Sequence, residues 1–271
     1  MLVVSFNTNS LRLRLHQLEA LIARHAPDVI AIQETKVNDP DFPVDAITAM
    51  GYAVEYFGQK THYGVALMIK GDYTNVRKGY DSDTEQDQKR IITADCVTPS
   101  GNTVSIINGY FPQGENRNHA VKFPAKRKFY EDLNTLLSQH YDPSNHVLVV
   151  GDFNIAPVDN DIGIGPDNAK RWLKTGVTCF LPEEREWLNT TMAWGLQDTF
   201  RVKYPEVNDL FSWFDYRSKG FDREPKRGLR IDHLLATESL TAKLIDSGID
   251  YDIRAMEKPS DHCPVWSSFD V

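Results

Sequence analysis

Long apolar runs are missing from this chain. The cleanest, such as Val147–Val150, stop far short of the roughly 20 residues a membrane-spanning helix requires, so no membrane partner is expected. Met1–Asn7 has neither a basic lead nor a long apolar core and does not read as a secretory leader. Cysteine is scarce: Cys96, Cys179 and Cys263 form neither a disulfide framework nor a metal-ligand spacing, which suits a reducing, cytoplasmic setting. A basic excess is lacking too, because the net charge is −8, and bulk charge alone argues weakly against nucleic acid. There is no Gly-x-Ser-x-Gly elbow, and three adjacent residues such as Ser260-Asp261-His262 cannot all face inward as a hydrolytic triad. Low-complexity segments, long linkers and short repeats are absent as well. What remains is an ordinary globular composition, 41% hydrophobic and 11% aromatic over 271 residues, expected to fold as one domain spanning 1–271. Nothing in it demands more than a monomer.

The charge is unevenly spread. Asn116–Tyr130 holds Arg117, Lys122, Lys126, Arg127 and Lys128 without an acid, and Arg217–Arg230 is also rich in Lys and Arg. Such segments on an acidic body read either as solvated faces or as loops that meet phosphates.

Short β-branched runs read as buried strands: Val3–Asn7, Asp28–Gln33, Val65–Ile69, Ile91–Cys96, Thr103–Asn108, Val147–Asn154, Ile231–Ala236 and Val265–Phe269. Helical spacing recurs after Ser10, a candidate cap, through Leu11, Leu15, Leu18, Leu21 and Ile22, with Pro27 as the stop. Phe129, Leu133, Leu136 and Leu137 repeat it, and a third helix runs from Pro182 towards Gly195. Mixed strands and helices predict two sheets covered by helices. Val3–Asn7 and Val147–Asn154 echo one another, each a β-branched run leading to an Asn. That echo predicts one strand end from each half meeting at a shared site.

Polar residues cluster at the ends of these strands. Asn7 follows the first, Glu34 the second, and Asp152 with Asn154 the central one. Asp232 opens a late strand, and Asp261-His262 precedes the last. Singly, each has a plain structural reading: a turn, a helix start, a surface histidine. Together they would cost several kcal/mol apiece if buried unpaired, so convergence would call for a cation or a substrate. Oxygen-rich sites suit Mg²⁺ or Mn²⁺. Carboxylates, amides and one imidazole around such an ion fit phosphoester hydrolysis better than acyl transfer.

Longer strings carry a resemblance. Ser5-Phe6-Asn7, Ile32–Lys36, Asn108–Gly114, Gly151–Asn154, Arg230–His233 and Ser260–Val265 resemble the endonuclease/exonuclease/phosphatase superfamily, with its DNase I-like fold. His62–Ala66, Arg171–Gly176 and Phe211–Ser218 narrow the likeness to its exonuclease III group of bacterial DNA-repair nucleases. The resemblance implies an α/β, four-layer sandwich of two face-to-face mixed sheets flanked by helices. It implies Glu34 as principal Mg²⁺ ligand with Asn7 beside it, and Asp261 supporting the ion. Asp152 is implied as general base, Asn154 as the group orienting water or phosphate, and Tyr110 at the scissile phosphate. His262, oriented by Asp232, would bind that phosphate, and Asp152, Asn154 and His262 also belong to the implied metal surroundings. Arg90, Gln113 and Lys122 are implied contacts to the DNA backbone. Trp213 and Phe214 are implied walls of a pocket for a base-less sugar, although Phe211–Phe214 also reads as a plain core strand. The implied substrate is double-stranded DNA with abasic sites or 3′ ends, and Mn²⁺ is the expected substitute ion. A small-molecule phosphatase or a catalytically dead DNA-binding relative would lack the basic loops or one of Glu34, Asp152 and His262. His233 stands where the group more often has an apolar residue, so it needs a hydrogen bond or an edge position.

Overall fold

The computed structural model describes residues 1–98 and 100–271. In chain order the strands are β1 (Leu2–Asn7), β2 (Val29–Gln33), β3 (Ala53–Phe57), β4 (Val65–Ile69), β5 (Tyr73–Lys78) and β6 (Ile91–Val97). They continue with β7 (Thr103–Tyr110), β8 (Val147–Asp152), β9 (Leu196–Asp198), β10 (Asp232–Thr237), β11 (Leu244–Ile249) and β12 (Val265–Phe269). The helices are α1 (Leu15–His25), α2 (Val44–Ala49), α3 (Lys122–His140), α4 (Pro166–Thr175), α5 (Pro182–Met192), α6 (Thr199–Lys203), α7 (Glu238–Thr241) and α8 (Tyr251–Arg254).

Two six-stranded mixed sheets result, ordered β11-β12-β1-β2-β4-β3 and β9-β10-β8-β7-β6-β5. Written this way they follow one plan. β1 lies parallel to β2 and antiparallel to β12, and β8 lies parallel to β7 and antiparallel to β10. The echo between Val3–Asn7 and Val147–Asn154 is therefore architectural: each run forms one of the two central strands of its own sheet.

Unbroken apolar runs form these strands because both faces are covered. Val29 and Ala31 point into the core shared by the sheets, whereas Ile30 and Ile32 pack outward with Leu18 and Leu21 of α1. In the other sheet, Leu148 and Val150 face the shared core, whereas Val147 and Val149 meet Phe129, Leu133 and Leu137 of α3 and Leu188 of α5. The layers are helix, sheet, sheet, helix. Each fully buried Leu, Ile or Val contributes about 1.5–3 kcal/mol, and a one-residue register slip would exchange the two sets of faces.

The four strands not foreseen from sequence, β3, β5, β9 and β11, are the four sheet edges. Edge strands bury less and carry no continuous apolar run, as in Tyr73–Lys78, whose six residues include none that is buried. The first helix also differs from expectation. Ser10 makes no capping hydrogen bond; it precedes a short 3-10 turn, Leu11–Leu13, and α1 begins only at Leu15. Ala26 in the left-handed region closes α1 just before Pro27.

One close approach positions the site. Gly109 and Gly151 are register partners on β7 and β8, and a Cβ on Gly151 would collide with the Gly109 carbonyl. Gly151 also has φ 142°. Only glycine fits there, and the next pair in register is Tyr110 with Asp152.

Candidate active site

The strand ends of the two sheets meet where the sequence placed its polar residues. Asp152 ends β8, and Asp232, its register partner, begins β10. Glu34 follows β2, and His262 precedes β12. Glu34 (φ 50°) and Asn154 (φ 53°) both hold left-handed backbone, a conformation that non-glycine residues keep only where surrounding contacts impose it. Glu34 thus turns the chain sharply out of β2 instead of starting a helix.

Asn7 joins the sheets. Its Nδ2 donates to Glu34 Oε1 and to Asp152 Oδ2, both at 2.9 Å, while its Oδ1 accepts the Asn9 N–H at 3.0 Å. The side chain presents nitrogen to the carboxylates and bridges them in this arrangement. Ligand atoms of Glu34, Asp152 and His262 all lie within 4.8 Å of one another. His262 Nδ1 is 2.9 Å from Asp232 Oδ2, and its Nε2 faces Asp152 Oδ2 at 3.8 Å.

Electrostatics separates these groups. Burial pushes the Asp152 carboxyl up to about 8, against the pull of His262 and with the help of Asp232 and Glu34. Burial alone would push His262 down, but the Asp232 and Asp152 carboxylates overcome it and raise the imidazole to about 10. In that charge state Nε2 carries a proton, and His262 is an imidazolium donor facing Asp152. Burial, then the charge of Glu34, drives the Tyr110 hydroxyl well above its ordinary value, keeping it a donor.

Glu34, Tyr110, Asp152, Asn154 and His262 line a cleft of about 180 Å³ that also includes Gln113, Asp261 and Trp213. Asp261 is bonded on both oxygens: Asn9 Nδ2 donates to its Oδ1 at 2.8 Å and Trp213 Nε1 to its Oδ2 at 3.1 Å. It stands beside the cluster of Glu34, Asp152 and His262, one residue before His262. Asn154 uses Nδ2 on the Phe111 carbonyl, and its backbone N–H donates to Asp152 Oδ1. The guanidinium of Arg90 lies over the rings of Tyr63 and Tyr110, at 4.2 and 4.5 Å, and donates to the Tyr110 carbonyl.

Two expected contacts lie elsewhere. Phe214 is fully buried among Phe211, Phe221 and Cys263, so only Trp213 of the aromatic pair reaches the cleft. Neighbouring residues on extended backbone point to opposite sides, which a reading of the pair as a unit overlooks. Lys122 is exposed and bound to Glu115 at 2.5 Å. The basic stretch is in fact neutralised throughout: Arg117, Lys122, Lys126, Arg127 and Lys128 each pair with a carboxylate. Arg230 of the second basic segment is internal, clamped between Asp161 and Asp198. His233 finds its partners there, with Nδ1 accepting from Arg230 and Nε2 donating to the Ile155 carbonyl at 2.9 Å each. That leaves it neutral, its pKa lowered by burial and by Arg230.

Sequence reasoning assigned no role to Lys36, 2.9 Å from Glu34 Oε2, or to Trp172 and Cys179 in the cleft wall. Lys36 stood inside the motif string that begins at Ile32, which was its one available signal.

Comparison with known proteins agrees with the geometry. Exodeoxyribonuclease III of Haemophilus influenzae is 55% identical over 266 residues, covering 98% of each chain. An AP endonuclease from Archaeoglobus fulgidus superposes with a TM-score of 0.90 at 32% identity, and a 3′ phosphatase from Neisseria, bound to a product DNA hairpin, with 0.89 at 34%; each covers 100% of both chains. The model of the Endonuclease/Exonuclease/phosphatase family matches residues 4–262, so its span runs from β1 to His262. Paired sheets, a carboxylate–imidazole cluster built from both, and this match place the chain in the Endonuclease/Exonuclease/phosphatase family.

Proposed function

We propose that this chain is a divalent-metal-dependent DNA phosphodiesterase of the exodeoxyribonuclease III type. It cuts 5′ of abasic sites and removes nucleotides or phosphate from 3′ ends of duplex DNA. The observation that carries the reading is the gathering of half-buried Glu34 with buried Asp152 and His262 within 4.8 Å, drawn from two sheets. The donor set fits a hard cation, because two carboxylates converge with no thiolate among the three residues, and this favours Mg²⁺ with Mn²⁺ as substitute.

Glu34 is the principal residue to hold the ion, with Asn7 fixing its carboxylate. When bound, the ion supplies Lewis-acid stabilisation of charge on the phosphate oxygens. Asp152, made more basic than a free carboxylate by burial, takes the proton of an attacking water from its ionised form. Asn154, hydrogen-bonded to Asp152 through its backbone, orients that water or the phosphate. His262, charged and fixed by Asp232, donates through Nε2 to a non-bridging oxygen. Tyr110 presents a protonated hydroxyl to the scissile phosphate, with Arg90 stacked behind its ring. Asp261 acts through Trp213, holding the indole at the mouth. A deoxyribose without its base is small enough for the cleft, and selection by shape predicts little sequence preference. Gln113 in the wall and Lys122 nearer the surface are the proposed backbone contacts. We place residues 1–271 in one domain acting as a monomer. No helix among the described residues is long and apolar enough to cross a membrane.

The test is a duplex oligonucleotide with one abasic site, compared with recessed 3′-hydroxyl and 3′-phosphate substrates. Mg²⁺ should support cleavage on the 5′ side of the lesion, EDTA should stop it, and Asp152→Asn should bind the duplex without cutting. A folded protein that cuts none of the three substrates with Mg²⁺ or Mn²⁺ would remove the proposal.

A further inference from the structure

One buried cation, Lys126, touches two segments of the cleft wall without taking part in the reaction itself. Lys126, on α3, has no exposed side-chain surface, and neither has Glu184, its partner on α5. The ammonium directs its three N–H bonds at three acceptors. Nζ lies 2.5 Å from Glu184 Oε1, 2.7 Å from the Asn154 carbonyl and 3.3 Å from the Gln113 carbonyl. Glu184 is anchored in turn, since its other oxygen accepts the Leu181 N–H at 2.8 Å.

Stability alone does not call for this arrangement, because an apolar pair of similar volume often serves a core equally well. An apolar pair cannot set the direction of two carbonyls. Both carbonyls belong to residues whose side chains line the cleft. One of them, Asn154, holds a left-handed conformation at φ 53° that needs outside support. Gln113 is also tied on its side-chain end, with Nε2 donating to Thr178 Oγ1 at 2.8 Å. The Lys126 bond fixes the backbone from which that side chain departs.

We propose that Lys126, held by Glu184, is a positioning residue for the phosphodiester reaction. It fixes the Asn154 turn and the Gln113 segment so that both side chains face the scissile group. The inference rests on the nuclease reading of the cleft. Three proteins test it on an abasic duplex with Mg²⁺: wild type, Lys126→Met, and Lys126→Met combined with Glu184→Gln. Thermal unfolding is followed alongside. The single variant leaves a buried carboxylate unpaired and loses stability. The double variant removes that charge, keeps an acceptor for Leu181 and recovers its fold, even where the single variant does not. In the double variant kcat should stay between about tenfold and a hundredfold below wild type, with KM changed far less, as expected for misplaced groups around a bound substrate. A double variant that regains stability and wild-type kcat together overturns the proposal, since Lys126 would then only fill space. A wild-type protein that cleaves nothing defeats the nuclease reading itself, so the two failures are distinguishable.

Discussion

At the scale of single residues, Asp232 decides the charge of the site without touching its floor. Its carboxylate, with that of Asp152, holds the His262 proton to about 10. Asp232→Asn keeps an acceptor for Nδ1 but removes one of those charges. The imidazolium should then lose its proton at lower pH, and the alkaline limb of the pH–rate profile should move in the same direction. NMR titration of the His262 ring in the metal-free protein checks this, and an unchanged midpoint would assign the shift to Asp152 alone. The same pairing bears on stability. A histidine raised above its unfolded value of about 6.5 contributes fully below that pH. The contribution is lost as pH rises through the folded value, here about 10.

Among elements, the contact between sheets is polar where it matters for the site. Asn108 on β7 donates to the carbonyls of Ile32 on β2 and Ala66 on β4, at 3.0 and 2.9 Å, and accepts from Gln33 Nε2 at 2.7 Å. One amide therefore clamps the two sheets next to Glu34 and Tyr110. Asn108→Leu strands these groups in a dry interior, at about 1–3 kcal/mol for each group left unmade. It should lower the Tm and also reduce cleavage at temperatures where the protein remains folded. Calorimetry with parallel activity measurements separates the two effects, and a lowered Tm with full activity would limit Asn108 to a structural role. Trp213 and Phe214 make a related point. Adjacent in sequence, they serve different elements, one facing the cleft and the other packed edge-on against Phe221 and Tyr251.

For the molecule as a whole, charge poses the main question. A chain of net charge −8 must attract DNA through local positive groups, yet the basic stretch around α3 is paired with acids throughout. Lys122 meets a phosphate either beside Glu115 or by leaving it. The expected binding is moderate and salt-sensitive, with each phosphate contact adding a slope of about −0.9 in log K against log salt. Lys122→Ala should flatten that slope by about one contact. Fluorescence anisotropy across a salt series, in EDTA to prevent cleavage, measures it, and an unchanged slope would exclude Lys122 as a contact.

Much of this was legible in the chain. β-branched runs announced all eight interior strands, because a strand buried on both faces must be apolar throughout. Asn7, Glu34, Asp152, Asp232 and His262 stood out as polar residues at the ends of such runs, where burial would be costly without partners. Sequence did not announce the edges, since β3, β5 and β11 bury too little to leave a pattern and β9 is only three residues long. Nor could it show that Phe214 turns inward, that Asp261 is engaged with Asn9 and Trp213, or that the lysines and arginines of the basic stretch face acids distant in the chain as well as near. Composition and periodicity set which segments are buried. Only the packing of one sheet on the other decides which buried polar groups meet, because distances and pKa values arise from neighbours that the chain order keeps far apart.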